Sequence, residues 1–429
     1  MSTTRRDLLR GGLAAAGLAV SSAARSAQGT QRSQEGPATE GPATRPAAPR
    51  ERRRVVVVGA GALGGWTAYE LQRRGARVIL LDAWGPGNAR ASSGGETRVI
   101  RTVYGAQAHY TDLALRALEL WRDAEKRFGR RLYHRTGMLV LGTDPLIADA
   151  LPILATRDVA LEEMTPGEAA RRYPQIHCDD LDRVVLEVDA GFLLARTACR
   201  LVVEHFIAAG GSYRRAAVRP AAIDRLVDSA STPRVSLDDG SSLDADTVVF
   251  ACGSWLPKLF PELLGPRIRP SRQEVYYFGT PAGDARFGID RLPIWTDRSD
   301  GGFYGIPGNQ DRGFKIADHG VGPAFDPTRD DRLPTPGALE RARRFIMHRF
   351  PALADAPLIE SRVCHYANTT DGELLIDRHP NHGAIWLAGG GSGHAFKHGP
   401  ALGELIARAV LDEQPPDPRY SVSRRTATR

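Results

Sequence analysis

The pattern of apolar and polar positions is clearest just after residue 53. Four valines at 55–58 predict a buried strand, and the glycine-rich run 59–64 (GAGALG) predicts a tight turn. The run GWTAYELQRRG then has helical periodicity and ends at Gly75, and RVILLD predicts a second strand ending at Asp82. Strand, turn, helix and strand in this order predict one unit of a parallel sheet that is covered by helices.

The turn and the acid after the second strand are typical of a dinucleotide site. Gly59, Gly61 and Gly64 allow the turn and let the backbone approach a pyrophosphate, which the N-terminus of the helix stabilises. Asp82, about twenty residues further on, is placed to accept hydrogen bonds from ribose hydroxyls. The segment therefore predicts a bound FAD or NAD.

The nucleotide-binding pattern breaks off at GNARASSGGETRVIRTVYG, where an NAD-dependent enzyme would continue with alternating strands and helices. Core strands return only at LDADTVVFACGSW and at GAIWLAGGGSGHAFKHGPALGELIARAVL. The last run predicts a strand, a glycine-rich loop and a helix from about Pro400, with the helix N-terminus available to a cofactor. A plain structural glycine loop is the alternative. An α/β nucleotide domain built from distant pieces is typical of FAD enzymes of the D-amino-acid oxidase type, which favours FAD.

The N-terminus has the pattern of an export signal. Arg5 and Arg6 precede the apolar run LAAAGLAV, and small residues follow at 22–24. The apolar run is too short to span a bilayer, and the paired arginines resemble a twin-arginine (Tat) signal. We expect residues 1–27 to be this signal and the Pro- and Gly-rich residues 28–50 to be a disordered linker, which gives a periplasmic or extracellular protein. A merely disordered basic N-terminus is the alternative.

Charge and hydropathy argue against two classes of partner. The formal net charge is +7, and four arginines and one aspartate in the leader account for +3 of it. The remainder is mildly basic and has no dense run of Lys and Arg, so we expect no nucleic-acid partner. No segment after the leader is apolar enough to predict a membrane span.

The four cysteines are Cys178, Cys199, Cys252 and Cys364, and their wide scatter fits no compact disulfide framework. Cys199 and Cys252 lie in apolar runs, where a thiol is usually a small core residue. Cys364 has no second cysteine and no chelating residue at metal-ligand spacing, so the sequence predicts no metal site there. From its neighbours alone it would be an inert buried thiol.

Four stretches make the chain similar to a known family: GETRVIRTVYG, GGFYGIPGNQDRGFKIADHG, RVCHYANTTDGELLIDRHP and GGGSGHAFKHGPALGE. From about Arg54 to the C-terminus, the chain resembles monomeric sarcosine oxidase and its relatives N-methyltryptophan oxidase and pipecolate oxidase. The resemblance implies an α/β protein with an FAD-binding Rossmann-like domain of the D-amino-acid oxidase type. An interleaved substrate domain is built on an antiparallel or mixed sheet. The expected segments are 53–130, 190–262 and 362–416 for the FAD-binding domain, 131–189 and 263–361 for the substrate domain, and 417–429 for a C-terminal tail.

The resemblance also assigns roles to single residues. It implies that Cys364 forms a thioether with the 8α-methyl carbon of FAD, since a thiolate can attack that carbon when the flavin is in an electrophilic tautomer. It implies that Arg101 and Lys397 clamp the substrate carboxylate, and that Lys315 stabilises the charge that develops on oxygen. Taken alone, each of these cations could be a solvated surface charge.

Further residues match the family's pocket and cofactor loop. The remaining catalytic candidates are Arg98, Tyr304, His319 and Tyr366. The cofactor-binding candidates from the C-terminal loop are Gly391, Ser392, Gly393 and His394. Two positions depart from the pattern: Ser92–Glu96 lacks the histidine that relatives carry, and His398 replaces an aromatic residue after the clamping lysine.

The function that the resemblance implies is oxidation of a secondary-amine amino acid, either an N-methyl amino acid or a cyclic imino acid such as pipecolate. The products would be an imine, which is hydrolysed to an aldehyde, and hydrogen peroxide. We expect a monomer whose partners are a small-molecule amino acid or amine and oxygen. Two alternatives stay open. One is an amine dehydrogenase that uses another electron acceptor, and the other is a non-catalytic flavin-binding module.

Overall fold

The computed structural model describes residues 52–219, 232–298 and 302–424. The predicted signal peptide and linker lie outside these ranges. No helix within them is both long enough and apolar enough to cross a membrane.

The described residues form nineteen strands and nine α-helices. In chain order the strands are β1 (Arg54–Val58), β2 (Arg77–Asp82), β3 (Thr97–Ile100), β4 (Tyr133–His134), β5 (Met138–Leu141), β6 (Leu161–Met164), β7 (Val184–Glu187), β8 (Gly191–Leu194), β9 (Ser212–Arg215), β10 (Arg234–Ser236), β11 (Ser242–Asp244), β12 (Thr247–Phe250), β13 (Ile268–Phe278), β14 (Ile294–Asp297), β15 (Phe303–Ile306), β16 (Phe314–Asp318), β17 (Leu358–Thr369), β18 (Leu375–His379) and β19 (His382–Gly389). The helices are α1 (Ala62–Arg73), α2 (Ala108–Phe128), α3 (Pro145–Ala155), α4 (Pro166–Arg172), α5 (Ala195–Ala208), α6 (Leu256–Leu259), α7 (Pro261–Leu264), α8 (Pro336–Arg349) and α9 (Gly399–Val410).

A six-stranded sheet carries the predicted nucleotide unit, in the order β18-β19-β12-β1-β2-β9. All of its neighbouring pairs are parallel except β18–β19. Helices α1 and α9 pack closely against each other. A Cβ at Gly403 on α9 would lie only 2.6 Å from the Cβ of Trp66 on α1. The central strand β1 pairs with β2, which is close in sequence, and with β12, which follows almost 200 positions later and in turn pairs with β19. The prediction of a nucleotide domain built from distant pieces is confirmed.

The second large sheet has eight strands in the order β17-β13-β16-β15-β14-β5-β7-β6, and only β14–β5 is a parallel pair. Two small sheets, β3-β8-β4 and β10-β11, complete the fold. The predicted mixed sheet is thus confirmed. Its strands come from the segments 131–189 and 263–361, with β17 continuing past residue 361. The domain boundaries themselves stay a prediction.

One face of the eight-stranded sheet is covered by helix α8. Trp295 and Phe303 point to this face, and the ring of Phe345 on α8 packs against both, with centroid distances of 5.5 and 4.5 Å. Alternation along a strand then turns Thr296 and Tyr304 to the opposite face. That opposite face is the one available for a site.

Candidate active site

The larger cavity, of about 380 Å³, lies at the carboxyl ends of the parallel strands. These ends meet at one edge of the six-stranded sheet, where open α/β sheets bind their ligands. The walls include Gly59 and Gly61 after β1, Asp82 at the end of β2, Ala251 after β12 and Gly391 after β19.

The turn after β1 requires its glycines. Gly59 has φ +106°, and a Cβ there would lie 2.5 Å from the carbonyl oxygen of Ala251. A Cβ at Gly64 would lie 1.9 Å from the carbonyl oxygen of Gly59. The N-cap of α1, Gly61, has no side chain, and the Ser93 hydroxyl accepts a hydrogen bond from the first backbone N–H of the helix, at Ala62, at 3.1 Å. Gly61, Ala62 and Leu63 line the cavity, so the positive end of the helix dipole faces it. The geometry fits a pyrophosphate.

Asp82 fixes the shape of this turn. Its carboxylate accepts hydrogen bonds from the backbone N–H groups of Ala60 (2.8 Å), Trp84 (2.9 Å) and Gly85 (2.7 Å) while it also lines the cavity. A carboxylate has about four lone-pair sites, so one stays available to a ribose hydroxyl. The predicted ribose contact stays a prediction.

The C-terminal loop contributes less to this cavity than we expected. Gly391 and Gly393 line it. The hydroxyl of Ser392 turns away and accepts a hydrogen bond from the backbone N–H of Thr369 at 3.1 Å, so it stabilises the loop instead. His394 lines the second cavity.

The register of the eight-stranded sheet brings the catalytic candidates to one face. Tyr304 pairs with Ala317, two residues after Lys315, and Ala317 pairs with Val275. Val275 in turn pairs with Arg362, and Cys364 and Tyr366 follow at two-residue steps along β17. Residues paired across strands, and residues two apart, share a face.

His319 continues the same face just beyond β16. Its ring centroid lies 6.0 Å from that of Tyr304 and 5.9 Å from that of Tyr366, and its Nδ1 is 3.4 Å from the Tyr366 hydroxyl. The ring is exposed. This position suits a residue at the edge of the pocket.

A second cavity, of about 110 Å³, lies against this face. Arg98, Tyr366, Gly393 and Phe396 line both cavities, so the two spaces meet at these residues. Cys364 lines the smaller one. The thiol therefore lies where the two cavities adjoin.

Arg98 organises this junction. Its guanidinium donates to the carbonyl oxygens of Thr97 (2.7 Å) and Ser92, and one Nη lies 3.4 Å from Sγ of Cys364. The contact places a cation directly beside the sulfur.

Lys315 lies behind the surface of the cavities and is 1% exposed. Its ammonium group donates to the carbonyl oxygen and the hydroxyl of Thr97 at 3.1 and 3.2 Å, and it lies 5.8 Å from the ring centroid of Tyr304. Burial, together with the charge of Arg98, lowers the pKa of Lys315 to about 7. The lysine can therefore change its charge near neutral pH.

The two cations of the predicted carboxylate clamp lie at the smaller cavity, and both contact the buried Tyr104. Arg101 stacks on the ring of Tyr104 at 4.6 Å, and Lys397 donates to the Tyr104 hydroxyl at 2.8 Å. Both cations line the cavity. Burial and the charge of Arg101 hold the pKa of Lys397 well below its ordinary value. A bound carboxylate would raise that pKa again and restore the full charge.

Glu187 at the end of β7 is a site residue that the sequence did not reveal. It is 1% exposed, lines the smaller cavity, and accepts hydrogen bonds from the backbone N–H (2.5 Å) and hydroxyl (2.7 Å) of Thr102. Burial raises the pKa of its carboxyl. Since Thr102 follows Arg101 directly, Glu187 holds the backbone that carries one of the two clamping cations. The only sequence signal was an acid that interrupts the apolar run VVLEVDAG.

The two departures from the family pattern have structural partners. The hydroxyl of Ser92 lies 2.9 Å from Nδ1 of His365, and Ser254 approaches the same nitrogen at 2.7 Å. His398 is fully buried, and its Nε2 lies 2.8 Å from the Tyr104 hydroxyl. The ring of His398 thus supports the tyrosine between the two clamping cations.

Of the four thiols, Cys199 and Cys178 are buried core residues. Cys252 is half-buried and packs against the core cluster around β12, as expected, but it also lines the larger cavity. Its position follows from the turn after β12, which ends at the cavity edge. All four cysteines are free, in agreement with the absence of a disulfide framework.

The profile of the family described as DAO, FAD dependent oxidoreductase, matches residues 54–409. The chain belongs to this family. The choice of FAD over NAD is thereby confirmed, as is the resemblance. The glycine cradle around Gly59 and Gly64, the start of α1 at the cavity wall and the long cavity that reaches Tyr366 fit this cofactor.

Characterised relatives cover most of the chain. It is 29% identical over 363 residues to monomeric sarcosine oxidase from Bacillus sp. (strain B-0618), an alignment that covers 83% of this chain and 92% of that protein. It is 26% identical over 376 residues to N-methyl-L-tryptophan oxidase from Salmonella arizonae, with 84% and 95% covered.

Solved structures share the fold. L-proline dehydrogenase from P. horikoshii superposes with a TM-score of 0.74 at 21% identity, covering 87% of this chain and 97% of that one. NikD, an amino acid oxidase of nikkomycin biosynthesis, superposes with a TM-score of 0.71 at 23% identity, covering 86% and 97%. At these identities the likeness is one of fold.

Proposed function

We propose that the protein is an exported oxidase of secondary-amine amino acids, with FAD attached through Cys364 and oxygen as the electron acceptor. The products are an imine, which hydrolyses to an aldehyde, and hydrogen peroxide. One observation carries the proposal: Arg101 and Lys397 line a cavity that adjoins the cofactor cavity, and both contact the buried Tyr104. The names of the sarcosine and N-methyl-L-tryptophan oxidases support the choice of a secondary amine.

The clamp would fix the substrate by its carboxylate. The planar guanidinium of Arg101 suits two parallel hydrogen bonds to a carboxylate, and the ammonium group of Lys397 adds a point charge. Tyr304 and Tyr366 form walls of the same cavity. With one end held, the carbon beside the nitrogen is restricted to a small set of positions.

The cations of the cavity also act on the amine. An amine must carry a free electron pair before the neighbouring carbon can give up a hydride. Arg98, Arg101 and Lys397 line the cavity and lower the pKa of a bound ammonium group by charge repulsion. The cavity therefore favours the neutral, reactive amine.

When bound, FAD would accept the hydride from the carbon beside the nitrogen and pass the electrons to oxygen. Lys315 would supply a fixed positive charge for the anion that develops on oxygen. Arg98, whose guanidinium lies beside Sγ of Cys364, would orient the thiol for attack on a carbon electrophile. The paired arginines at 5 and 6 support export in the folded, cofactor-loaded state.

An anaerobic substrate screen tests the proposal. Purified holoenzyme is mixed without oxygen with amino acids, N-methyl amino acids and cyclic imino acids, and bleaching of the flavin absorbance is followed. We expect bleaching by secondary-amine acids, and hydrogen peroxide when air is admitted. Bleaching by none of them would refute the activity. Reoxidation only by an artificial acceptor would identify a dehydrogenase.

A further inference from the structure

The smaller cavity continues across the sheet beyond Tyr304. Tyr304 on β15 pairs with Thr296 on β14, and Thr296 pairs with Val140 on β5. All three residues line the cavity. Because neighbouring strands lie about 4.8 Å apart, Val140 lies about 10 Å from Tyr304, on the side away from Cys364.

The far end of the cavity is apolar. It is formed by side chains from β5, the start of α3 and the segment after β3, and we call it the apolar end: Val103, Met138, Val140, Leu146 and Ile147. Three of these, Val103, Val140 and Ile147, belong to one hydrophobic core cluster. A rigid apolar wall of this kind favours a ligand that can fill it.

The apolar end begins beside the carboxylate clamp. Val103 is two residues after Arg101 and directly precedes Tyr104, the residue that both Arg101 and Lys397 contact. A substrate held by its carboxylate thus has its α-carbon close to this end. Sarcosine has no side chain and would leave the apolar end empty.

The charged groups near the apolar end are already paired. Nε of Arg298 lies 2.7 Å from Oδ2 of Asp144. The other oxygen of the same carboxylate, Oδ1, accepts a hydrogen bond from the backbone N–H of Leu146 at 3.0 Å. The carboxylate of Glu187 is held by Thr102. Because these charges are matched locally, the apolar end offers little to a charged side chain, and burying one there would cost free energy.

We propose that the apolar end binds the substrate side chain, and that the substrate is a secondary-amine amino acid with an uncharged side chain of several carbons. This inference rests on the proposed function. Selectivity comes from burial of apolar surface: each methylene group of the side chain that enters the apolar end should increase the affinity about fourfold.

The test is a matched series of N-methyl amino acids on the holoenzyme under anaerobic conditions. Dissociation constants and limiting rates of flavin reduction are measured for sarcosine and for both enantiomers of N-methylalanine, N-methylleucine, N-methylglutamate and N-methyllysine. We expect the better N-methylleucine enantiomer to bind roughly 60-fold more tightly than N-methylalanine, since three more carbons are buried. The two charged compounds should bind more weakly than N-methylleucine.

Two variants of helix α3 locate the effect. Leu146→Ala opens the apolar end and should weaken binding of N-methylleucine about tenfold more than that of sarcosine. Leu151→Ala is the matched control, because Leu151 lies on the same helix and is 51% exposed. It should leave the ratio of the two affinities at the wild-type value.

Tighter binding of sarcosine or of N-methylglutamate than of N-methylleucine would overturn the inference. An equal loss of affinity for N-methylleucine and for sarcosine in Leu146→Ala would overturn the inference as well. Either result still requires flavin reduction by a secondary amine, so the proposed function would stand. Failure of every compound to reduce the flavin would instead refute the proposed function.

Discussion

Replacing Lys315 with Met should separate the reaction with oxygen from the reaction with substrate. Met keeps the length of the aliphatic stem but removes the charge that Thr97 holds in place. Loss of one fixed cation beside a developing anion costs about 3 kcal/mol, which is a rate loss of roughly one hundredfold or more. We expect reoxidation of the reduced flavin to slow by this factor, with a much smaller change in reduction by substrate.

The lowered pKa of Lys315 adds a pH dependence with a definite sign. Burial and the charge of Arg98 bring this pKa to about 7, so the side chain is protonated below that pH and neutral above it. The rate of reoxidation should therefore fall as the pH rises, by up to about tenfold per pH unit. A negative charge bound nearby would raise the pKa of a lysine, which places the midpoint at about 7 or higher. Lys315→Met should lack this dependence.

Stopped-flow absorbance of the flavin measures both half-reactions on one preparation. Lys126→Met is the matched control, because the Lys126 side chain is 77% exposed and pairs only with Asp123 on the same helix, at 3.3 Å. Wild-type reoxidation by the Lys315→Met protein would show that oxygen reacts elsewhere. A wild-type rate that rises with pH would show that the protonated lysine is not the reactive form.

Three further predictions concern attachment, export and substrate binding. Cys364→Ala should release its yellow flavin into the filtrate after acid denaturation, whereas the wild-type chain should retain it. Changing Arg5 and Arg6 to lysine should leave the precursor in the cytoplasm, as fractionation and immunoblotting would show. Arg101→Met and Lys397→Met should each weaken substrate binding and flavin reduction by about tenfold or more, and spare the reaction with oxygen.

Each of these has its own control. Cys178→Ala removes a buried thiol that lies far from the cavities in the core and should keep the flavin attached. Arg10→Lys should not affect export, and export of the Arg5/Arg6 variant in normal yield would contradict a Tat signal. Amines without a carboxylate should be poor substrates and nearly indifferent to the clamp variants. If Arg101→Met and Lys397→Met reduced activity on such amines as strongly as on substrates with a carboxylate, the assignment of the clamp would be contradicted.

Local patterns predicted the nucleotide unit well because its parts contact one another within a short span. The strand at 55–58, the glycine turn and the strand that ends at Asp82 fit together within about thirty residues, and hydrophobic periodicity specifies each of them. The loop around Ser392 shows the limit even of a good local motif. Ser392 is a candidate for cofactor binding, but its hydroxyl accepts a hydrogen bond from the backbone N–H of Thr369.

Long-range features were beyond the reach of periodicity. The ammonium group of Lys315 contacts Thr97, which lies 218 positions earlier in the chain. Thr97 is on β3 of the three-stranded sheet and Lys315 is on β16 of the eight-stranded sheet, so only the packing of the two sheets brings them together. Glu187 has the pattern of an ordinary strand end. Asp144 and Arg298 are also far apart in the chain, and their pair lies in no motif. The resemblance to a family identified residues that lie in the family's motifs. It did not identify residues outside them, such as Glu187, that hold the motif residues in place.

The strand order of the six-stranded sheet constrains when the cofactor can bind during synthesis. β1 is synthesised well before its neighbour β12, and the next strand, β19, is synthesised later still. The walls of the larger cavity need Gly59 from the start and Gly391 from the end. A nascent chain that stops short of β19 therefore has no complete site, and removing the C-terminal residues does not leave a smaller flavin-binding unit. The yellow colour of the purified protein should report that the whole chain has folded.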